Sequence, residues 1–516
     1  MGLRGAVTER ALPGSAKALG ADAGASNPRA LNRTGLGRRS TLPVNPGATP
    51  PNLWFSCQAM RRISVFAISL LAACAPAPSA EVTKSLAVDA GPLTGGSGLQ
   101  GLASAPRPVA AARSNQEITR DFLDLAFRME SGRAIPALSR FEGPITVSVK
   151  GDAPKSAIAE LSRLINRFRS EAGLDVRQVD GNQVASINIE FLPRAQLRRV
   201  VPTAACFVVP NVSSLAEYKG ARGTAQVDWA RMTTRKEVAI FIPSDTSTQE
   251  VRDCLHEEMA QAMGPLNDLY HLPDSVFNDD NFHTVLTGFD MLILRTFYSP
   301  ELHAGMNEAE VAKHIPGILA RLNPAGQGRT GSLKAIAPRT WVTAVEQSFG
   351  LRGGNAKAAA ERMVSIAMAQ GWSDGRLAFS YYALGRSQIT SDPEAAVRAF
   401  AEAARIYRAL PGGQVHSAHV DMQLAAIALS TGQSEQAIQF ANRAIPVVKQ
   451  AENFALLATL TLIKAEAHEN LGQAAEAKAL RLDSLGWARY GFGSEQQVRA
   501  RMSEISALGN RGKRKG

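Results

Sequence analysis

The 516-residue sequence contains no apolar run long enough to cross a bilayer. A membrane-spanning helix needs about 20 such residues, and the best candidate, 63–73, falls well short of that, which excludes a transmembrane helical protein. Net charge is also scarce once the ends are set aside. The formal balance is +11, but residues 1–59 supply +5, Arg61 and Arg62 supply +2, and Arg511, Lys513, Arg514 and Lys515 supply +4, leaving the rest about neutral. The body of the chain therefore lacks the basic footprint of a nucleic-acid-binding protein, and no nucleic-acid partner is expected. What is present is a 45% hydrophobic composition, enough for two or three domains with ordinary cores.

From Met60 the sequence reads Met-Arg-Arg-Ile-Ser-Val-Phe-Ala-Ile-Ser-Leu-Leu-Ala-Ala-Cys: a basic flank, an apolar run, then small residues. This is the pattern of a secretory signal. Leu71-Ala72-Ala73-Cys74 resembles the bacterial lipobox, which implies lipidation of Cys74 and a lipid anchor in the membrane. Because Ala75 follows rather than Asp, the resemblance implies the outer membrane, on the periplasmic side. Residues 1–59 are rich in Gly, Pro, Ala and Arg without apolar periodicity; Met60 is expected to be the true start, and a translated leader would be disordered. Residues 75–113, dominated by Ala, Pro, Ser and Gly, read as a flexible tether.

An α+β organisation is expected beyond the tether: an α/β domain over 115–350, an all-α domain over 355–508, and a basic tail over 509–516. In the first, 144–149 alternates like a half-buried strand, Ile158, Leu161, Leu164, Ile165 and Phe168 recur at helical spacing, Ile187, Ile189 and Phe191 alternate again, and 238–242 is a further strand stopped by Pro243. Ser247-Thr-Gln-Glu250 reads as a capping box opening a helix that reaches about Gly264. In the second, Leu384-Gly385, Thr431-Gly432 and Leu471-Gly472 are read as closing apolar helices, and Phe400 and Ala403 after Asp392-Pro393 resemble the second helix of a tetratricopeptide repeat. Such repeats imply a groove for a protein or peptide partner.

The unusual helix carries Cys254-Leu-His-Glu-Glu-Met-Ala-Gln-Ala-Met-Gly-Pro-Leu-Asn-Asp268. Zinc peptidases place two histidines at i and i+4 with a general-base glutamate beside the first. Counted from His256, position i+4 is Ala260, which has no ligating atom. Counted from Glu257, the spacing resembles the extended zincin motif with the three zinc histidines replaced by Glu257, Gln261 and Asn267, and Glu258 falls at the general-base position. Asp274-Ser-Val-Phe277 is similar to the turn beneath the metal in zincins, and 290–298 to the helix that follows. Asp253-Cys-Leu-His-Glu-Glu, Gly264-Pro-Leu-Asn-Asp-Leu-Tyr270 and Ser275-Val-Phe-Asn-Asp279 resemble the bacterial domain of unknown function 2927, which implies a zincin-like fold more than an activity.

Carboxamides are feeble zinc ligands, so the set Glu257, Gln261, Asn267 suits a hard cation better than zinc. No cofactor is expected, although a divalent metal is chemically admissible. Glu258, on the apolar stripe, is expected to be part-buried and paired, with an arginine as one candidate partner. His256, His271 and His283 with Asp268, Asp279 and Asp280 are expected in surface loops or caps. With Cys57 in the leader and Cys74 lipidated, Cys206 and Cys254 remain; in an oxidising compartment a disulfide between them is expected, the alternative being two buried thiols. The function expected is a non-catalytic, membrane-tethered envelope lipoprotein. The alternative is a metal-dependent hydrolase of peptides or cell-wall peptide with Glu258 as base.

Overall fold

The computed structural model describes Lys84–Ser85 and residues 113–202, 204–350 and 355–513. The expected leader, signal segment, Cys74 and nearly all of the tether lie outside the described residues. None of the described helices is long and apolar enough to cross a membrane.

The alternating and apolar runs build one mixed sheet. Its strands are β1 (Lys84–Ser85), β2 (Ile145–Gly151), β3 (Val176–Gln178), β4 (Ile187–Leu192), β5 (Cys206–Pro210) and β6 (Val238–Pro243), in the order β1-β5-β6-β4-β2-β3. β2, β3, β4 and β6 run parallel, while β5 is antiparallel to β6 and to β1. β6 lies between β4 and β5 and is buried at all six positions, which is why it is an unbroken apolar run rather than an alternating one. Alternation nevertheless divides its side chains: Val238, Ile240 and Ile242 enter the main core, whereas Ala239 and Phe241 enter a smaller cluster with Phe207, Val209, Leu197 and Tyr218.

Two helices cover the main-core side: α2 (Lys155–Glu171), which follows β2, and α5 (Thr248–Met263), which packs on α2, β5 and β6. α1 (Asn115–Phe127) precedes the sheet and opens on a capping box from Ser114 and Glu117. The short helices α3 (Arg194–Val200) and α4 (Leu215–Ala221) serve the smaller cluster, and α6 (Gly288–Phe297) and α7 (Glu308–Leu322) complete the α/β region.

The rest is all helix: α8 (Arg339–Phe349), α9 (Ala356–Ala369), α10 (Gly375–Gln388), α11 (Pro393–Ala409), α12 (Gln414–Ser430), α13 (Ser434–Gln450), α14 (Phe454–Asn470), α15 (Ala474–Phe492) and α16 (Glu495–Lys513). Each packs on the next, and α16 folds back onto α14 and α12. Small residues at helical spacing, Ala437, Ala441 and Ala444 on α13 for example, allow this close packing. Gly432 and Gly472 follow helices with φ of 83° and 75°, the left-handed conformation glycine supplies at a helix end. Gly385 does not close a helix as expected; it lies inside α10, where a Cβ would come within 2.8 Å of the Phe400 ring. Residues 509–513, expected as a solvated tail, continue α16, with the Asn470 amide donating to the Gly509 carbonyl at 3.1 Å.

The helical region grips the α/β region at two places. Gln249 on α5 donates to Asn453 (3.1 Å) and accepts from the Ala455 N–H (2.7 Å), and Arg252 donates to the Glu452 carbonyl (2.7 Å). Phe282 inserts among Phe379, Tyr382, Tyr407, His416 and His419, and His416 Nε2 bonds Asp280 at 2.7 Å beside it.

Candidate functional site

Helix α5 is fixed at both ends and along its length. The Ser247 hydroxyl accepts from the Glu250 N–H at 3.1 Å, but the reciprocal half of the expected capping box is absent, because the Glu250 carboxylate turns to Arg194 (2.7 Å) and Thr246. At the other end Arg235, buried over the Trp229 ring, donates to the carbonyls of Gln261 (2.5 Å), Ala262 (2.7 Å) and Gly264 (2.5 Å). A cation there supplies donors to the carbonyls of the last turn and complements the helix dipole; burial pulls the guanidinium down to about 10. Gly264 is required by proximity, since a Cβ would meet the Phe297 ring at 2.9 Å. Midway, Cys254 is disulfide-bonded to Cys206 on β5 with Cα atoms 6.0 Å apart, as expected from the sequence.

Glu258 is one turn beyond Cys254 and completely buried; neither of its oxygens has a hydrogen-bond partner. The arginine considered as its partner is not there. Burial, then the charges of Glu257 and Asp268, push its carboxyl well above the usual carboxylate range. Burial likewise raises Asp268 to about 7. Glu130, in the loop after α1, is raised well above its usual range by burial and then by Asp268, Asp279 and Glu257. Asp279 is raised by burial and Asp268 although it accepts a 2.6 Å hydrogen bond from the Tyr270 hydroxyl. The fold thus brings together Glu130, Glu257, Glu258, Asp268 and Asp279. The sequence pattern pointed to all of these except Glu130, which sits 128 positions from Glu258 and belongs to no periodic segment.

The zincin resemblance implies zinc at Glu257, Gln261 and Asn267, and the donor set does not fit it. Asn267 is committed to the backbone: its amide donates to the Asp124 carbonyl at 2.9 Å and its carbonyl accepts from the Asp268 N–H at 3.0 Å. Gln261 is fully buried beside Glu258 on the same helix face, with neither side-chain polar atom partnered. Among the described residues no three His, Cys, Asp or Glu side chains are gathered to hold a metal ion.

The histidines do other work: His256 and His271 are buried and His283 is half-buried. His256 Nδ1 accepts from the Leu286 N–H at 3.2 Å, and burial, then the charges of Arg167 and Arg252, hold the ring neutral. His271 Nε2 bonds Asp121 at 2.8 Å; His283 donates to the Pro273 carbonyl at 3.2 Å and is pulled by burial to about 3. Asp280 is spent on Asn278, Phe282 and His416. The 274–277 turn is held by Asp290 at the start of α6, whose carboxylate accepts from the Ser275 hydroxyl (2.5 Å) and the Val276 N–H (3.2 Å).

A family model described as a protein of unknown function (DUF2927) matches residues 115–317, the α/β region as far as α7. That segment is therefore a domain of unknown function, followed by an all-helical region. No curated protein and no solved structure matches the chain.

Proposed function

We propose that the protein is a lipid-tethered envelope protein in which a zincin-like domain, no longer catalytic, and tetratricopeptide-like repeats form a binding module for a protein or peptide. One observation carries the reading: the residue at the third zinc position, Asn267, has both ends of its side chain occupied by backbone groups. A zinc hydrolase needs ligands that bring the pKa of bound water to about 7. It also needs an ionised base, and burial, then the charges of Glu257 and Asp268, disfavour the ionised form of Glu258. These points weigh against the hydrolase reading.

The repeats have two roles in this account. Around α10–α12 they clamp the first domain through Phe282 and His416. Between α11, α12 and α13 they leave a cavity of about 200 Å³, lined by Leu410, Ala418 and Val447 with Arg408, Asp421 and Arg443, that suits a small group of a partner. Anchorage is tested by Cys74→Ser: the variant is expected in the soluble fraction, and a membrane-bound product would refute the lipid anchor. Incubation of the purified chain with zinc and a peptide mixture is expected to give no cleavage.

A further inference from the structure

The cavity of about 200 Å³ between α11, α12 and α13 has walls of unbalanced charge. Asp421 on α12 is the one acid in its lining, and two guanidinium groups converge on it: Arg408 from α11 donates at 2.7 Å, and Arg443 from α13 donates through Nε and Nη2 at 2.7 Å each. The Asp421 side chain is 2% exposed, while those of Arg408 and Arg443 are 44% and 47% exposed, so the cations and not the carboxylate reach solvent. Two cations against one anion leave a positive charge uncompensated at the wall. A guanidinium carries five N–H donors, and Asp421 takes only some of them.

The same walls hold two hydroxyls without a hydrogen-bond partner among the described residues, on Tyr407 and Ser417, which are 1% and 7% exposed. Native interiors leave few such groups unsatisfied. Burial, first, pushes the Tyr407 phenol well above its ordinary value, which keeps it a donor. Leu410, Ala418 and Val447 supply apolar surface beside these groups. An apolar cavity of about 150 Å³ accepts benzene, so this one has room for a body of that size and a small polar group.

We propose that this cavity binds a small organic acid, a single carboxylate on a compact apolar body about the size of one ring. The carboxylate accepts from the free guanidinium N–H groups and the two hydroxyls, and the body lies against Leu410, Ala418 and Val447. Arginine suits a carboxylate because its donors lie in one plane and pair with both oxygens. One surplus charge and a partly apolar wall favour such a monoanion over phosphate. This goes beyond the partner-binding reading, which stands without a small ligand here.

The test uses the full-length chain in detergent and measures binding of benzoate by titration calorimetry, with benzamide as its neutral counterpart and a short peptide ending in a free carboxylate as a third probe. Saturable binding of one benzoate per chain is expected, with benzamide at least about tenfold weaker. Tyr407→Phe, which removes one oxygen, should weaken benzoate by about tenfold; Arg443→Gln should weaken it at least as much, and Val447→Phe, which fills the cavity, should abolish it. Glu394→Gln, at an exposed position of α11, should leave it unchanged. Absence of benzoate binding, or equal binding of benzamide, would overturn the proposal and leave the partner-binding reading intact. Binding of the peptide without binding of benzoate would overturn the small acid in favour of a chain end. If Arg443→Gln or Val447→Phe fails to fold, the Tyr407→Phe affinity decides, and an unchanged value overturns the proposal.

Discussion

Removing the Cys206–Cys254 disulfide should loosen the helix that carries Glu258 from the strand beside it. The bond joins residues 48 apart in sequence, and both cysteines are fully buried. In the chain-entropy account, closing a loop of that length restricts the unfolded chain by about 4 kcal/mol. For a region of roughly 200 residues, each kcal/mol moves the midpoint by about 2–4 °C, so reduction should lower it by about 8–16 °C. The assay is thermal melting with and without reductant, on the natural chain and on Cys206→Ala/Cys254→Ala, with free thiols counted first. The double variant should melt near the reduced natural chain and ignore reductant. Coincident midpoints for oxidised and reduced natural protein would refute the reasoning.

Other expectations are equally direct. Glu258→Gln should raise the melting midpoint of chelator-stripped protein at neutral pH, because a buried carboxylate without a donor gives way to a neutral amide; a lower midpoint refutes it. Asp290 is raised by burial to about 6 from an ordinary value near 4, so folding favours its protonated form. Its contribution is full below about pH 4 and lost as pH rises through 6, on the order of 3 kcal/mol. Denaturant unfolding between pH 4 and 7 should show that slope, and Asp290→Asn should flatten it. Gly264→Ala should cost about 1–3 kcal/mol by driving a Cβ into Phe297, read as a lower denaturant midpoint. Phe282→Ala should cost about 3–5 kcal/mol and increase proteolysis between the two regions; unchanged digestion would contradict the clamp.

The elements that follow a clear period were legible in the sequence. Residues 238–242 and 187–191 are strands, Ile158 to Phe168 lies in one helix, and Ser247 begins the helix that bears the site. The disulfide was legible because, with Cys57 and Cys74 assigned by expectation to a leader and a lipidation site, only two cysteines were left to pair. Features set by distant contacts were not. Gly385 looked like a helix end, but its lack of a side chain serves the Phe400 ring; Glu250 matched a capping box, but Arg194, 56 residues away, claims its carboxylate. The burial of His256 and His283, and the arrival of Glu130 beside Asp268, follow from the tertiary fold and leave no local pattern.

The account turns on whether the α5 site holds zinc. Metal analysis of full-length protein purified without chelator tests this, with Glu257→Ala beside it. The account predicts no stoichiometric zinc or other transition metal in either. One tightly held zinc per chain that disappears in Glu257→Ala, accompanied by peptide cleavage, would contradict it.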